Sequence, residues 1–192
     1  MALNLEKQLI FYGSYHNDHT NVVIHMACVP VLLLTGLLFA TNTPELLPMP
    51  DWLTVPYLPP NLGTIVGILY SALYVLLEPV AGTALVPLIM GGTALANYLT
   101  SHHNPNATYI ALGVHIFSWI AQFIGHGKYE GRAPALLDNI VQAVFLAPLF
   151  VWIELLFMFG YRPELKNRLD KAVEIEINKW KQSKAKANGK AN

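Results

Sequence analysis

Five apolar runs, residues 22–40, 62–77, 80–99, 109–125 and 140–159, set the limits on what this chain can fold into. In hydrocarbon every backbone N–H and C=O must find a partner within the chain, so runs of this length become helices. At about 1.5 Å per residue most of them are long enough to cross a bilayer, and 62–77 is slightly short. The last run, 140–159, holds Pro148 and Glu154. The expected fold is all-α: a multi-span helical membrane bundle of about four transmembrane helices, with 140–159 as a re-entrant or fifth apolar helix. Composition agrees. Hydrophobic residues make up 54% of the chain and charged ones 12%, against about 25% charged in a soluble domain.

The charge is placed very unevenly. Nine of the twelve Lys and Arg residues lie beyond residue 160, and only Lys7, Lys128 and Arg132 precede them. Basic segments favour the cytosolic side, so the tail and the loop carrying Lys128 and Arg132 are expected there. Both flank 140–159, which should therefore enter the membrane and return. Four true spans then put both termini in the cytosol. Residues 41–61, rich in Pro and Thr and free of Lys and Arg, form a loop on the opposite side.

Amphipathic helices are expected at both ends. Leu5, Leu9 and Tyr12 share one face of the first, and Leu165, Leu169, Val173, Ile177 and Trp180 recur at helical spacing in the last. We expect a single helical membrane domain over 1–182 and a disordered polar tail over 183–192. Gly82, Gly91 and Gly92 should allow close helix contacts. The single cysteine, Cys28, excludes an internal disulfide, and no cleavable signal peptide is expected. No nucleotide-binding or phosphate-cradling glycine motif is present.

Imidazole is costly at membrane depth, and seven histidines therefore need a reason. His16 and His25 are nine residues apart, about 13 Å on one unbroken helix and on opposite faces. A break near 18–20, where Asp18, Thr20 and Asn21 are good N-cap types, would let them converge. His115, Trp119, Gln122 and His126 follow an i, i+4, i+7, i+11 pattern and share one stripe. His115 and His126 are about 16 Å apart along it, so His115 belongs deeper, at the substrate. Glu130 follows His126 by four residues and can bring a carboxylate. The topology puts His16, His19, His25, His126 and Glu130 near one membrane face and His102 and His103 near the other. A metal site of His16, His25 and His126 follows, with Fe(II), Zn(II) or another imidazole-binding ion open on ligand type alone. One HxxH and an isolated HH fall short of the histidine boxes of a membrane di-iron desaturase.

Two blocks carry a resemblance. The first is Phe11-Tyr12-x-x-Tyr15-His16, Asn21-Val22-x-Ile24-His25 and Val29-Pro30. The second is Trp119-Ile120-x-Gln122-Phe123-Ile124-Gly125-His126-Gly127, then Glu130, Arg132-x-Pro134-Ala135-Leu136, Asp138-Asn139 and Gln142, with Ala147-Pro148 and Glu154 following. The chain resembles the fungal 2-hydroxy-fatty-acid dioxygenases, endoplasmic reticulum membrane proteins of phytosphingosine degradation. The resemblance implies an Fe(II)-dependent α-oxidation in which a long-chain 2-hydroxy fatty acid and O₂ give a fatty acid one carbon shorter. It implies His16, His25 and His126 as metal ligands, with Glu130, Asn21 and Gln122 as catalytic residues. His115, Trp119, Lys128 and Arg132 are then expected to bind substrate, the two cations steering or pairing with its carboxylate. The alternatives are a non-enzymatic lipid-binding or membrane-shaping protein, in which the histidines only pack, and a zinc-dependent lipid hydrolase using Glu130 as base.

Overall fold

The computed structural model describes residues 4–134, 140 and 142–189. Among the described residues are seven α-helices: α1 (Leu5–Tyr15), α2 (His19–Thr41), α3 (Leu62–Leu77), α4 (Pro79–His103), α5 (Asn106–Ile124), α6 (Ala147–Met158) and α7 (Pro163–Gly189). A π-helical turn, Gly125–Glu130, extends α5, and a second, Gln142–Leu146, leads into α6. The chain thus forms the all-helical membrane bundle its apolar runs predict.

His19–Thr41, Pro79–His103 and Asn106–Glu130 have the length and hydropathy to cross a membrane. At 16 residues α3 is apolar but shorter, about 24 Å against a hydrocarbon core of roughly 30 Å. It pairs instead with α4 as a tight hairpin. An added Cβ at Gly82 would sit 2.2 Å from the Tyr74 carbonyl oxygen, so only glycine permits this approach. Gly92 is likewise pressed by Leu34, whereas Gly91 faces open space and plays no such part.

The run 140–159 is not broken at Pro148, as its sequence suggested. That proline lies in the first turn of α6, where its missing N–H costs nothing. The irregularity comes before it, in the π turn, where Tyr70 and Tyr74 donate their hydroxyls to the Val144 and Phe145 carbonyls at 3.1 and 2.9 Å. The sharp bend comes after it, between α6 and α7, at 117°. The tail also departs from expectation. Residues 183–189 continue α7 as helix, since Ala and Lys are good helix formers. Nor does α7 merely lie beside the bundle. It buries Leu165, Leu169 and Ile177 and packs along α1, with Val173 against Gly13.

Two polar clusters close the ends of the bundle. At one end Asn61 donates to Asn97 at 2.6 Å, and Asn104 to Asn42 at 2.8 Å. At the other, buried Glu78 ends α3, begins α4, and accepts hydrogen bonds from Tyr161 and Arg162 at the α6–α7 bend. One carboxylate therefore ties the two elbows together. Glu78→Ala should leave both donors unpaired and lower stability by about 2–4 kcal/mol, measured by denaturant unfolding in detergent. A loss below half a kcal/mol would remove Glu78 from this role.

Candidate metal centre

His16, His25 and His126 meet at the end of the bundle that carries Glu78. Their ring centroids lie 4.4 Å (His16–His25), 4.9 Å (His16–His126) and 4.8 Å (His25–His126) apart, and all three pairs are edge-on. One ligand atom from each falls within 4.8 Å of the others. Three nitrogens about 2.1 Å from one ion lie at most roughly 4.2 Å apart. Small side-chain rotations close the difference.

Local sequence explains the convergence. α1 ends at Tyr15, and Asp18 starts α2 by accepting from the Thr20 and Asn21 amides at 2.9 and 3.1 Å. This break turns His16 back towards His25, as the capping residues predicted. His16 Nδ1 lies 2.9 Å from the Tyr12 carbonyl and His25 Nδ1 2.9 Å from that of Asn21. A carbonyl only accepts, so Nδ1 carries the proton on both rings and each Nε2 is free to bind a metal. The Tyr12 ring also stacks on His16 at 4.1 Å. His126 rides on the π turn, a distortion common at functional sites. Gly125 lets that turn close on α2, because a Cβ there would meet Asn21 Oδ1 at 2.5 Å.

These residues fit a metal ion. His25 and His126 are 4% and 3% exposed, and His126 Nδ1 is buried without a hydrogen-bond partner among the described residues. Burial first, then the neighbouring His25, holds the His16 imidazole well below its ordinary pKa. Neutral imidazole is the ligating form. Three imidazoles with no thiolate suit Fe(II) or Zn(II).

Glu130 does not join them as a ligand. Its carboxylate accepts from the Asn17 amide at 3.0 and 3.1 Å, the Asp18 amide at 3.0 Å and Asn21 Nδ2 at 3.1 Å. It straps the end of α5 to the α1–α2 turn and so holds His126 against His16 and His25. Asn21, fully buried, serves that strap and supplies the His25 carbonyl partner. Gln122 is different. It is buried, its Nε2 has no partner among the described residues, and it lines the small cavity of about 50 Å³ beside the imidazoles. Trp119 and Phe123 line the same cavity.

Lys128 and Arg132 stay out of it. Lys128 is exposed and reaches only the ring of Tyr129. The Arg132 guanidinium lies 3.4 Å over the Tyr15 ring and 5.3 Å from that of Trp180, and donates to the Ser14 carbonyl at 2.8 Å. It clasps α1 to α7 through these contacts. His115 is engaged by Thr35 and Trp119, deeper along α5. His19 is exposed at the start of α2, and His102 and His103 are exposed in the last turn of α4 at the far end. Sequence reasoning missed the part of Tyr12, although its spacing of four from His16 puts both on one helix face. Ala135, Leu136, Asp138 and Asn139 lie outside the described residues.

Glu130→Ala should weaken metal affinity about 10–100-fold, the usual effect of losing a group that orients ligands. Glu130→Gln, which keeps one acceptor oxygen, should fall between this variant and the wild type. Titration with a competing chelator measures both. Unchanged affinity in Glu130→Ala would show that the strap does not set the ligand geometry.

Comparison with known proteins agrees with this geometry. The family model described as "2-hydroxy-palmitic acid dioxygenase Mpo1-like" matches residues 2–159. A protein of the yeast Saccharomyces cerevisiae, named 2-hydroxy-palmitic acid dioxygenase MPO1, is 35% identical over 175 residues, covering 91% of this chain and 92% of its own. No solved structure matches. The extent of both matches identifies this chain as a member of the Mpo1-like family.

Proposed function

We propose that this protein is an Fe(II)-dependent dioxygenase that shortens long-chain 2-hydroxy fatty acids by one carbon, in phytosphingosine degradation at the endoplasmic reticulum membrane. The observation that carries this reading is the meeting of three imidazoles from separate elements beside an unpaired buried amide and an apolar cavity wall. The name of the yeast relative supports the substrate class.

The reaction balances without a further reductant. A 2-hydroxy acid and O₂ give the shorter acid, CO₂ and water. The bond between the first two carbons breaks, the hydroxyl-bearing carbon becomes the new carboxyl, and the old one leaves as CO₂. The substrate supplies all four electrons that O₂ takes up. This agrees with a chain that carries no nicotinamide or flavin motif.

Ferrous iron held by His16, His25 and His126 supplies the redox centre that O₂ chemistry requires. The protein's own groups do the rest. The Tyr12 and Asn21 carbonyls fix two imidazoles in the ligating tautomer. Gln122 Nε2 donates a hydrogen bond to an oxygen of the substrate head group, the partner it otherwise lacks. Trp119 and Phe123 keep water from the same space. Burial pushes the Tyr12 phenol well above its ordinary pKa, with the charge of Glu154 adding to this. Tyr12 therefore stays a neutral support for His16 at physiological pH.

Stripping the purified protein of metal and restoring it ion by ion tests the chemistry. Fe(II) should restore turnover of a 2-hydroxy acid with O₂ consumed in equal amount, and Zn(II) should not. Equal activity with Zn(II), or activity without O₂, would replace the oxygenase with a hydrolase. Single His16→Ala, His25→Ala and His126→Ala substitutions should each cut iron content and turnover by more than about 100-fold. Gln122→Leu should keep its iron and raise KM about 10-fold; an unchanged KM removes the amide from substrate binding.

A further inference from the structure

We infer that the apolar cavity between α2, α3 and α5 holds the acyl tail of the substrate and that Gly36 sets its length limit. The inference rests on the dioxygenase reading for the identity of the head group. The cavity has a volume of about 390 Å³ and is separate from the small space beside the imidazoles, yet Trp119, Gln122 and Ala143 line both. A ligand whose polar end faces Gln122 Nε2 therefore has its apolar end aimed into the larger cavity. Along α2 the cavity runs from Val29 to Leu37, and along α5 from Gln122 to His115. Eight residues of helix span about 12 Å. Zigzag carbon chains advance roughly 1.3 Å per bond of 1.5 Å, so this length takes about nine methylenes.

The polar rings in the wall are satisfied by their neighbours: the Tyr70 hydroxyl donates to the Val144 carbonyl at 3.1 Å, and Trp119 and His115 belong to one hydrogen-bonded chain. Trp119 Nε1 donates to His115 Nε2 at 3.0 Å. His115 Nε2 is then an acceptor and Nδ1 carries the proton, which goes to Thr35 Oγ1 at 2.7 Å. Thr35 in turn donates to the Val31 carbonyl at 2.8 Å. Every polar atom of that chain is used, which leaves the Gln122 amide, at the end shared with the smaller cavity, as the polar group of the wall that faces a ligand. The same chain holds the Trp119 indole at the neck between the two cavities. His115 is thus a positioning residue for Trp119.

Gly36 lies at the end of the cavity remote from the imidazoles, eleven residues or about 16 Å along α2 from His25. A Cβ added there meets nothing within 4 Å. Glycine in mid-helix is unfavourable relative to alanine, and no close packing at this position requires it. The space it leaves is what a longer tail would fill. A larger side chain should shorten the cavity without harming the fold.

The test measures binding of saturated 2-hydroxy acids of 8 to 18 carbons to metal-free protein in nanodiscs, by displacement of a fluorescent fatty acid, and turnover of the same series by the Fe(II)-loaded protein. In the wild type, affinity should rise with chain length and then level off. Gly36→Leu should level off earlier, binding the longest acids about 10-fold or more weakly, since each excluded methylene is worth roughly fourfold. The shortest acids should bind as before. Gly36→Ala, the milder change, should shift the limit by a smaller step and guards against a folding defect in the leucine variant. Identical length profiles in all three proteins, or no binding of any acid by the wild type, overturn the inference. Length-dependent binding with a shifted limit but no turnover by the wild type keeps the cavity and rejects the dioxygenase reading.

Discussion

Two carboxylates divide the amides of one short turn, and the candidate centre depends on that division. Asp18 takes the Thr20 and Asn21 amides and so starts α2. Glu130 takes the Asn17 and Asp18 amides from across the bundle. Hydrogen bonds to a charged acceptor contribute about 1.5–3 kcal/mol each. They act where three backbone elements must meet within a few ångströms. Without them, the end of α1, the start of α2 and the end of α5 have little reason to present imidazoles to one another. At this turn the acidic groups fix backbone and leave the neutral rings unobstructed.

This arrangement separates the tasks of the polar residues near the membrane face. Glu78, Glu130 and Arg132 are joints between helices. His16, His25 and His126 converge as a candidate ligand set, and beside them Gln122 Nε2 and the Tyr12 hydroxyl are buried donors without a hydrogen-bond partner among the described residues. A group fully committed to backbone partners is poorly suited to meet a substrate, whereas an unpaired buried amide is unfavourable until something binds to it.

Much of this was legible in the sequence. The spans follow from the length and composition of the apolar runs, because hydrocarbon leaves the backbone no alternative to helix. The turn between His16 and His25 follows from Asp18, Thr20 and Asn21, whose side chains compete for amides at a helix start. Placement of His126 on the same end of the bundle follows from counting crossings. The rest depends on partners distant in the chain. Arg132 reads as a carboxylate binder until Tyr15 and Trp180 are seen to sandwich it. Glu130 reads as a catalytic carboxylate, and its hold on the α1–α2 amides is not visible in the sequence. The π turn at Gly125–Glu130 shifts the register of α5 by a fraction of a turn, which no periodicity in apolar residues records. The 140–159 run does end in a bend, but that bend lies between α6 and α7 and not at Pro148, because proline in a first turn starts a helix as readily as it ends one.

The family match ends at residue 159, and α7 begins at Pro163. Yet α1, which carries His16, rests mainly on α7, through Val173 on Gly13, Arg168 on Glu6, and Trp180 beside Arg132. A chain cut where the match stops would retain all three imidazoles and lose the bracket that seats one of them. The imidazoles and part of the scaffold that aligns them thus lie on opposite sides of residue 159, although the yeast match, 175 residues long, runs across it. Substitution in α7 can detune the centre without touching a single imidazole.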